Sequence, residues 1–65
     1  MEKLLCIRFC NEITIGIENG FENNVKCLKE VLCKISEKFI IILPNKDVKS
    51  QITVPMSNIA SYFEI

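Results

Sequence analysis

Phe21-Glu22-Asn23-Asn24-Val25-Lys26-Cys27-Leu28-Lys29-Glu30-Val31-Leu32-Cys33-Lys34-Ile35 decides how this 65-residue chain is read. Its apolar residues Phe21, Val25, Leu28, Leu32 and Ile35 recur at steps of three and four, with Val31 beside them. That spacing predicts an amphipathic helix over residues 23–36. On a helical wheel these side chains fill an arc of roughly 120°, a core-facing stripe. Lys26, Lys29, Glu30, Lys34 and Glu37 lie on the opposite, solvated side. Asn19, Asn23 or Asn24 would cap the first turn, and Asn19 has Glu22 three residues on. Gly20, just ahead, suits a positive φ.

Upstream, Leu5, Ile7 and Phe9 alternate with Leu4, Cys6 and Arg8, and Ile13, Ile15 and Ile17 alternate with Thr14 and Gly16. Two strands over 3–9 and 13–17 are therefore predicted, joined as a hairpin near Asn11-Glu12. Downstream, Phe39-Ile40-Ile41-Ile42-Leu43 is an unbroken apolar run ended by Pro44. A run without polar alternation reads as a strand buried on both faces. Pro44-Asn45-Lys46-Asp47 is a turn by composition. Strands at 48–54 and 59–65 follow, separated by Pro55-Met56-Ser57-Asn58. The expected fold is a single α+β domain over 1–65, of order β-β-α-β-β-β. One helix would pack on a small antiparallel sheet or a partly closed barrel.

One helix covers one face of a sheet, so a second copy of the chain is the expected cover for the other. Half of the residues are hydrophobic (49%), more than so small an interior holds, since such a domain hides only roughly 60% of its unfolded surface. The face expected to be left over carries Leu4, Cys6, Arg8 and Cys10 together with Ile40 and Ile42, or else with Phe39, Ile41 and Leu43. A homo-oligomer, dimer or higher, is the predicted state. Arg8, flanked by apolar residues, is expected to be partly buried and paired with Glu12 or Glu64.

Eight basic and eight acidic residues balance, so no global field draws the chain to nucleic acid or anionic lipid. The longest apolar stretch is far short of the ~20 residues that cross a bilayer. Met1-Glu2-Lys3-Leu4-Leu5-Cys6-Ile7-Arg8 lacks the long apolar core of a signal peptide. A cytoplasmic location is expected, with no membrane partner. Cys6, Cys10, Cys27 and Cys33 then read as reduced thiols. Their spacings, with no His, do not form a structural zinc knuckle, and no cofactor is implied. Cys33, roughly 130° from the centre of the apolar arc on a helix, is expected at the surface unless a partner covers it; an interface contact is the reading, and a thiol activated by Lys29 and Lys34 is the alternative.

Catalysis lacks its usual parts. There is no His to act as a base near neutral pH, no Gly-rich phosphate loop, and the acids are dispersed. A non-enzymatic binding or interaction protein is the expectation. Ile, Lys and Asn are abundant and Lys outnumbers Arg seven to one, which fits an AT-rich genome. A phage or mobile-element accessory protein that modulates a host macromolecule, with a host protein as partner, is the reading. The alternative is a nucleic-acid or nucleotide module with its site between subunits. Its track would be Lys3, Arg8, Lys46 and Lys49 with Tyr62 or Phe63 as a stacking platform. A small ligand at a subunit boundary would meet Arg8, Thr53, Ser61 and Tyr62.

Overall fold

A computed structural model describes residues 2–17, 19–44 and 51–65. The predicted helix is a strand. The elements are β1 (Glu2–Ile17), β2 (Gly20–Ile35), β3 (Phe39–Leu43), β4 (Ile52–Pro55), a 3-10 turn (Met56–Asn58) and β5 (Ile59–Glu64). They form one antiparallel sheet in the order β4-β3-β2-β1-β5. The three-residue turn is the only helical element among the described residues. The α+β expectation is therefore corrected to a fold of nearly pure antiparallel sheet.

Bulges explain why β2 imitates a helix. Its register against β1 runs Leu5↔Val31 and then Ile7↔Leu28, so Lys29 and Glu30 together oppose Cys6. Further along, Ile13↔Val25 is followed by Ile15↔Glu22, so Asn23 and Asn24 oppose Thr14. Each extra residue turns a step of two into a step of three. The bulges give the three-residue steps Glu22 to Val25 and Leu28 to Val31, and the step from Val25 to Leu28 spans the stretch where β1 departs from regular pairing, so all of these residues acquire helical spacing while remaining on a strand. Beyond the bulges the strand period returns, with Val31 and Cys33 buried and Ile35 packed against the core. Asn24 takes a φ of +58°, the left-handed conformation that Asn tolerates best after Gly.

The first hairpin lies elsewhere than expected. Asn11-Glu12 sits inside the continuous β1, and the chain reverses where Ile17 pairs with Gly20. Gly20 has a φ of +147°, open in practice to glycine. Between Arg8↔Cys27 and Ile13↔Val25, four residues of β1 stand against Lys26 alone, and β1 turns a corner there. Sixteen residues of straight strand would span about 50 Å, whereas the longest dimension of the molecule is 29 Å. Past the corner, Ile15 and Val25 join Leu5, Ile7, Phe9, Val31, Cys33, Ile40, Ile42 and Val54 in one core. The sheet curls so that its own far end covers its inner face.

Two contacts hold the curl. The 3-10 turn docks on the start of β3, where the Met56 amide donates to the Lys38 carbonyl at 2.8 Å. It also reaches the corner of β1 through Asn58 and Asn11. No polar or charged residue is buried among the described residues, so apolar packing accounts for the interior.

Other expectations change with the fold. Cys33 is fully buried, since a strand's alternation places it between Val31 and Ile35 on the inner face. Phe21, assigned to the core by the helical wheel, is 75% exposed near the hairpin tip. β3 coincides with the apolar run at 39–43. The turn expected at 44–47 and the strand expected at 48–54 fall partly on residues 45–50, outside the described residues.

Candidate binding face

Antiparallel partners share a face of the sheet, so the register fixes what lies outside the curl. One row crosses four strands: Leu43 opposes Leu32, Leu32 opposes Leu4, and Ile65 lies opposite Leu4 by the register of β5. The Ile65 amide donates to the Leu4 carbonyl at 3.0 Å. Leu4 is 42% exposed and Ile65 62%, while Leu32 and Leu43 are half-buried. In the row beside it Ile41, half-buried, opposes Lys34 and Thr53. This half of the outer face thus carries one apolar row, with Ile41 beside it among Glu2, Lys34 and Thr53.

The other half is polar and cationic. Cys6 opposes Phe63 on β5, and Arg8 opposes both Ser61 and Cys27. Two shallow hollows flank Arg8. One, of about 350 Å³, is lined by Arg8, Phe9, Cys10, Lys26 and Cys27. The other, of about 270 Å³, is lined by Cys6, Ile7, Arg8, Cys27, Lys29, Ser61 and Phe63. The bulge in β2 delivers Lys29 to the second hollow, because it sets Lys29 against Cys6.

Arg8 is exposed, and among the described residues no carboxylate lies within ion-pair distance of it. The two acids expected to pair with it are engaged elsewhere. Glu64 meets Lys3 at 3.5 Å. Glu12 accepts a hydrogen bond from Asn24 at 2.7 Å and meets Lys26 at 3.8 Å. The corner of β1 turns Glu12 toward the β2 bulge and away from Arg8.

Of the residues expected at an interface, Leu4, Cys6, Arg8 and Cys10 do share the outer face, whereas Ile40 and Ile42 are fully buried inside. Ile41 and Leu43 stand where those two were expected. Of the residues proposed for a small ligand, Arg8 and Ser61 meet. Thr53 lies on β4 opposite Ile41, and Tyr62 opposes Ile7 on the other side of the sheet. Lys46 and Lys49 lie outside the described residues. Lys26 and Lys29 were missed as lining residues because a helical wheel put them on a solvated side, and Cys27 because it read only as a reduced thiol.

The thiols divide by face. Cys10 and Cys27 are exposed and Cys6 is half-buried. Burial pushes the Cys33 thiol up to about 11, so it is a poor nucleophile at neutral pH. Its S–H points at the Val31 carbonyl, 3.6 Å away. Among the described residues no three Cys, Asp or Glu side chains gather as a metal site would need. No described helix is long and apolar enough to cross a membrane. Compared with known proteins, the chain matches no family model, no curated sequence and no solved structure.

Proposed function

We propose that the protein works by binding, and that it assembles with copies of itself through the apolar half of its outer face. The observation that carries this reading is the row Ile65–Leu4–Leu32–Leu43 with Ile41 beside it. These residues lie on the face away from the core, and no described element covers them. A standard interface takes about 800 Å² from each partner, roughly a sixth of this molecule's 4740 Å² surface. The edge strand β5 continues the patch, since Ile59–Phe63 carries no charge to discourage strand pairing. In the cell such an assembly would serve as a non-catalytic accessory protein, of phage or mobile-element origin by its residue usage, holding a host macromolecule.

Light scattering at 10–100 µM tests the assembly, with those concentrations chosen to bracket roughly micromolar affinity. The expected mass is that of a dimer or larger species, falling to the monomer in Leu4→Lys, which places a charge in the row at an exposed position. A wild-type monomer across that range overturns the reading.

A further inference from the structure

We infer that the cationic half of the outer face is a binding site for single-stranded nucleic acid. Among the described residues both hollows are lined by cations and by no carboxylate: Arg8 and Lys26 in one, Arg8 and Lys29 in the other. Glu64 is paired with Lys3 outside the hollows, and Glu12 meets Lys26 at the first of them, which leaves Arg8 and Lys29 as the lining cations with no carboxylate in ion-pair distance among the described residues. Phe63, 63% exposed, stands at the edge of the second hollow across from Cys6. An aromatic ring kept in water beside exposed cations such as Arg8 and Lys29 is the combination that takes a base on its face and a phosphate at its side. Ser61, next to Arg8, adds a hydroxyl that can donate to phosphate or sugar oxygen.

The arrangement favours a single strand over a duplex. The hollows are shallow and the cations few, so the phosphates alone supply a weak hold. The face of a base becomes available for stacking only when it is unpaired. Contact with up to three phosphates gives a slope of log affinity against log salt near −2, from about −0.7 per phosphate on a single strand. Affinity should then fall roughly twenty-fold between 50 and 200 mM salt. The site uses none of Leu4, Leu32, Ile41 or Leu43, and meets the assembly proposed above only at Ser61 and Phe63 on β5.

Fluorescence anisotropy with a labelled twelve-nucleotide oligo-dT tests the inference, with poly-glutamate as a second anion and folding of each variant checked by circular dichroism. The expected result is salt-sensitive binding of oligo-dT. It should weaken more than ten-fold in the double variant Arg8→Gln/Lys29→Gln and roughly five- to hundred-fold in Phe63→Ala, the range that corresponds to one stacked base. Lys38→Gln, in the β2–β3 turn, should bind as wild type. Three results each overturn the inference: no binding at 20 mM salt; equal binding by the Arg8/Lys29 variant; or poly-glutamate competing as well as oligo-dT with no effect of Phe63→Ala. The last would assign the hollows to an acidic protein segment.

Discussion

Asn11 and Asn58 clasp each other across the molecule: the Asn11 amide donates to Asn58 Oδ1 at 2.7 Å, and Asn58 Nδ2 donates to the Asn11 carbonyl at 3.3 Å. The pair joins the corner of β1 to the 3-10 turn, 47 positions apart in sequence. One carboxamide thus satisfies both backbone groups of Asn11, just past the point where β1 stops pairing with β5. Asn58→Ala should cost about 1–2 kcal/mol in urea unfolding. Asn58→Asp, which keeps the acceptor and loses the donor, should lie between it and wild type. An Asn58→Ala protein as stable as wild type would show that the apolar core alone holds the curl.

The bulge at Asn24 gives a backbone prediction. Its φ of +58° is costly for a side chain branched at Cβ. Asn24→Val should therefore destabilise by roughly 1–2 kcal/mol. Asn24→Gly frees the backbone and forfeits only the hydrogen bond to Glu12, so its effect should stay within about 1 kcal/mol. Chemical denaturation of the two variants side by side distinguishes backbone strain from the lost contact.

Cys33 links burial to alkaline stability. Its thiol is held at about 11 in the folded chain against an ordinary value of 9.0. Between those values the unfolded chain releases a proton that the folded chain retains. Unfolding is therefore favoured as pH rises, and the stabilisation is fully present only below about pH 9. Roughly 2–3 kcal/mol should be lost from pH 9 to 11, and Cys33→Ala should flatten that fall. At pH 8 a thiol reagent should modify Cys10 and Cys27 quickly in the native protein, and Cys33 only on unfolding.

Ile40 and Ile41 are neighbours with opposite surroundings. Ile40 is fully buried opposite Ile35 and Val54, whereas Ile41 lies half-buried on the outer face. Ile40→Ala should cost about 2–5 kcal/mol, and Ile40→Glu should prevent folding. Ile41→Glu should leave the circular dichroism intact and reduce the solution mass. If both glutamate variants unfold alike, the outer face is more completely enclosed than its exposure implies.

Much of the sheet was legible wherever alternation was undisturbed. Leu5, Ile7 and Phe9 read as inward-facing, and they are buried. The run Phe39–Leu43 read as a strand buried on both faces; its Ile40 and Ile42 side is buried in the core, whereas Phe39 is exposed and Ile41 and Leu43 are half-buried on the outer side. The helix reading failed because two bulges reproduce helical spacing, and pattern alone cannot separate an inserted residue from a change of period. One local feature pointed the other way. Asn19-Gly20, between the alternating Ile13, Ile15 and Ile17 and a second apolar stretch, is a strong hairpin dipeptide. Reading it as the prelude to a helix cap hid the longest pairing in the fold. The cationic hollows were hidden for the same reason, since Arg8 and Cys27 become neighbours only when β2 is a strand beside β1.

The placement of β5 sets a schedule for folding. β1 and β2 can zip together from their shared turn, but Phe9 waits for Ile59 and Leu5 for Glu64, fifty or more positions later. Pairings so distant in sequence are slow to form. Until β5 arrives, the outer edge of Leu5–Phe9 presents open backbone groups next to the most apolar part of the chain. On a ribosome β5 is the last of the five strands to be made, so that interval lasts until it emerges. The nascent chain is thus most prone to cross-pairing with its neighbours just before β5 emerges, and β5 serves as the seal that ends this exposure.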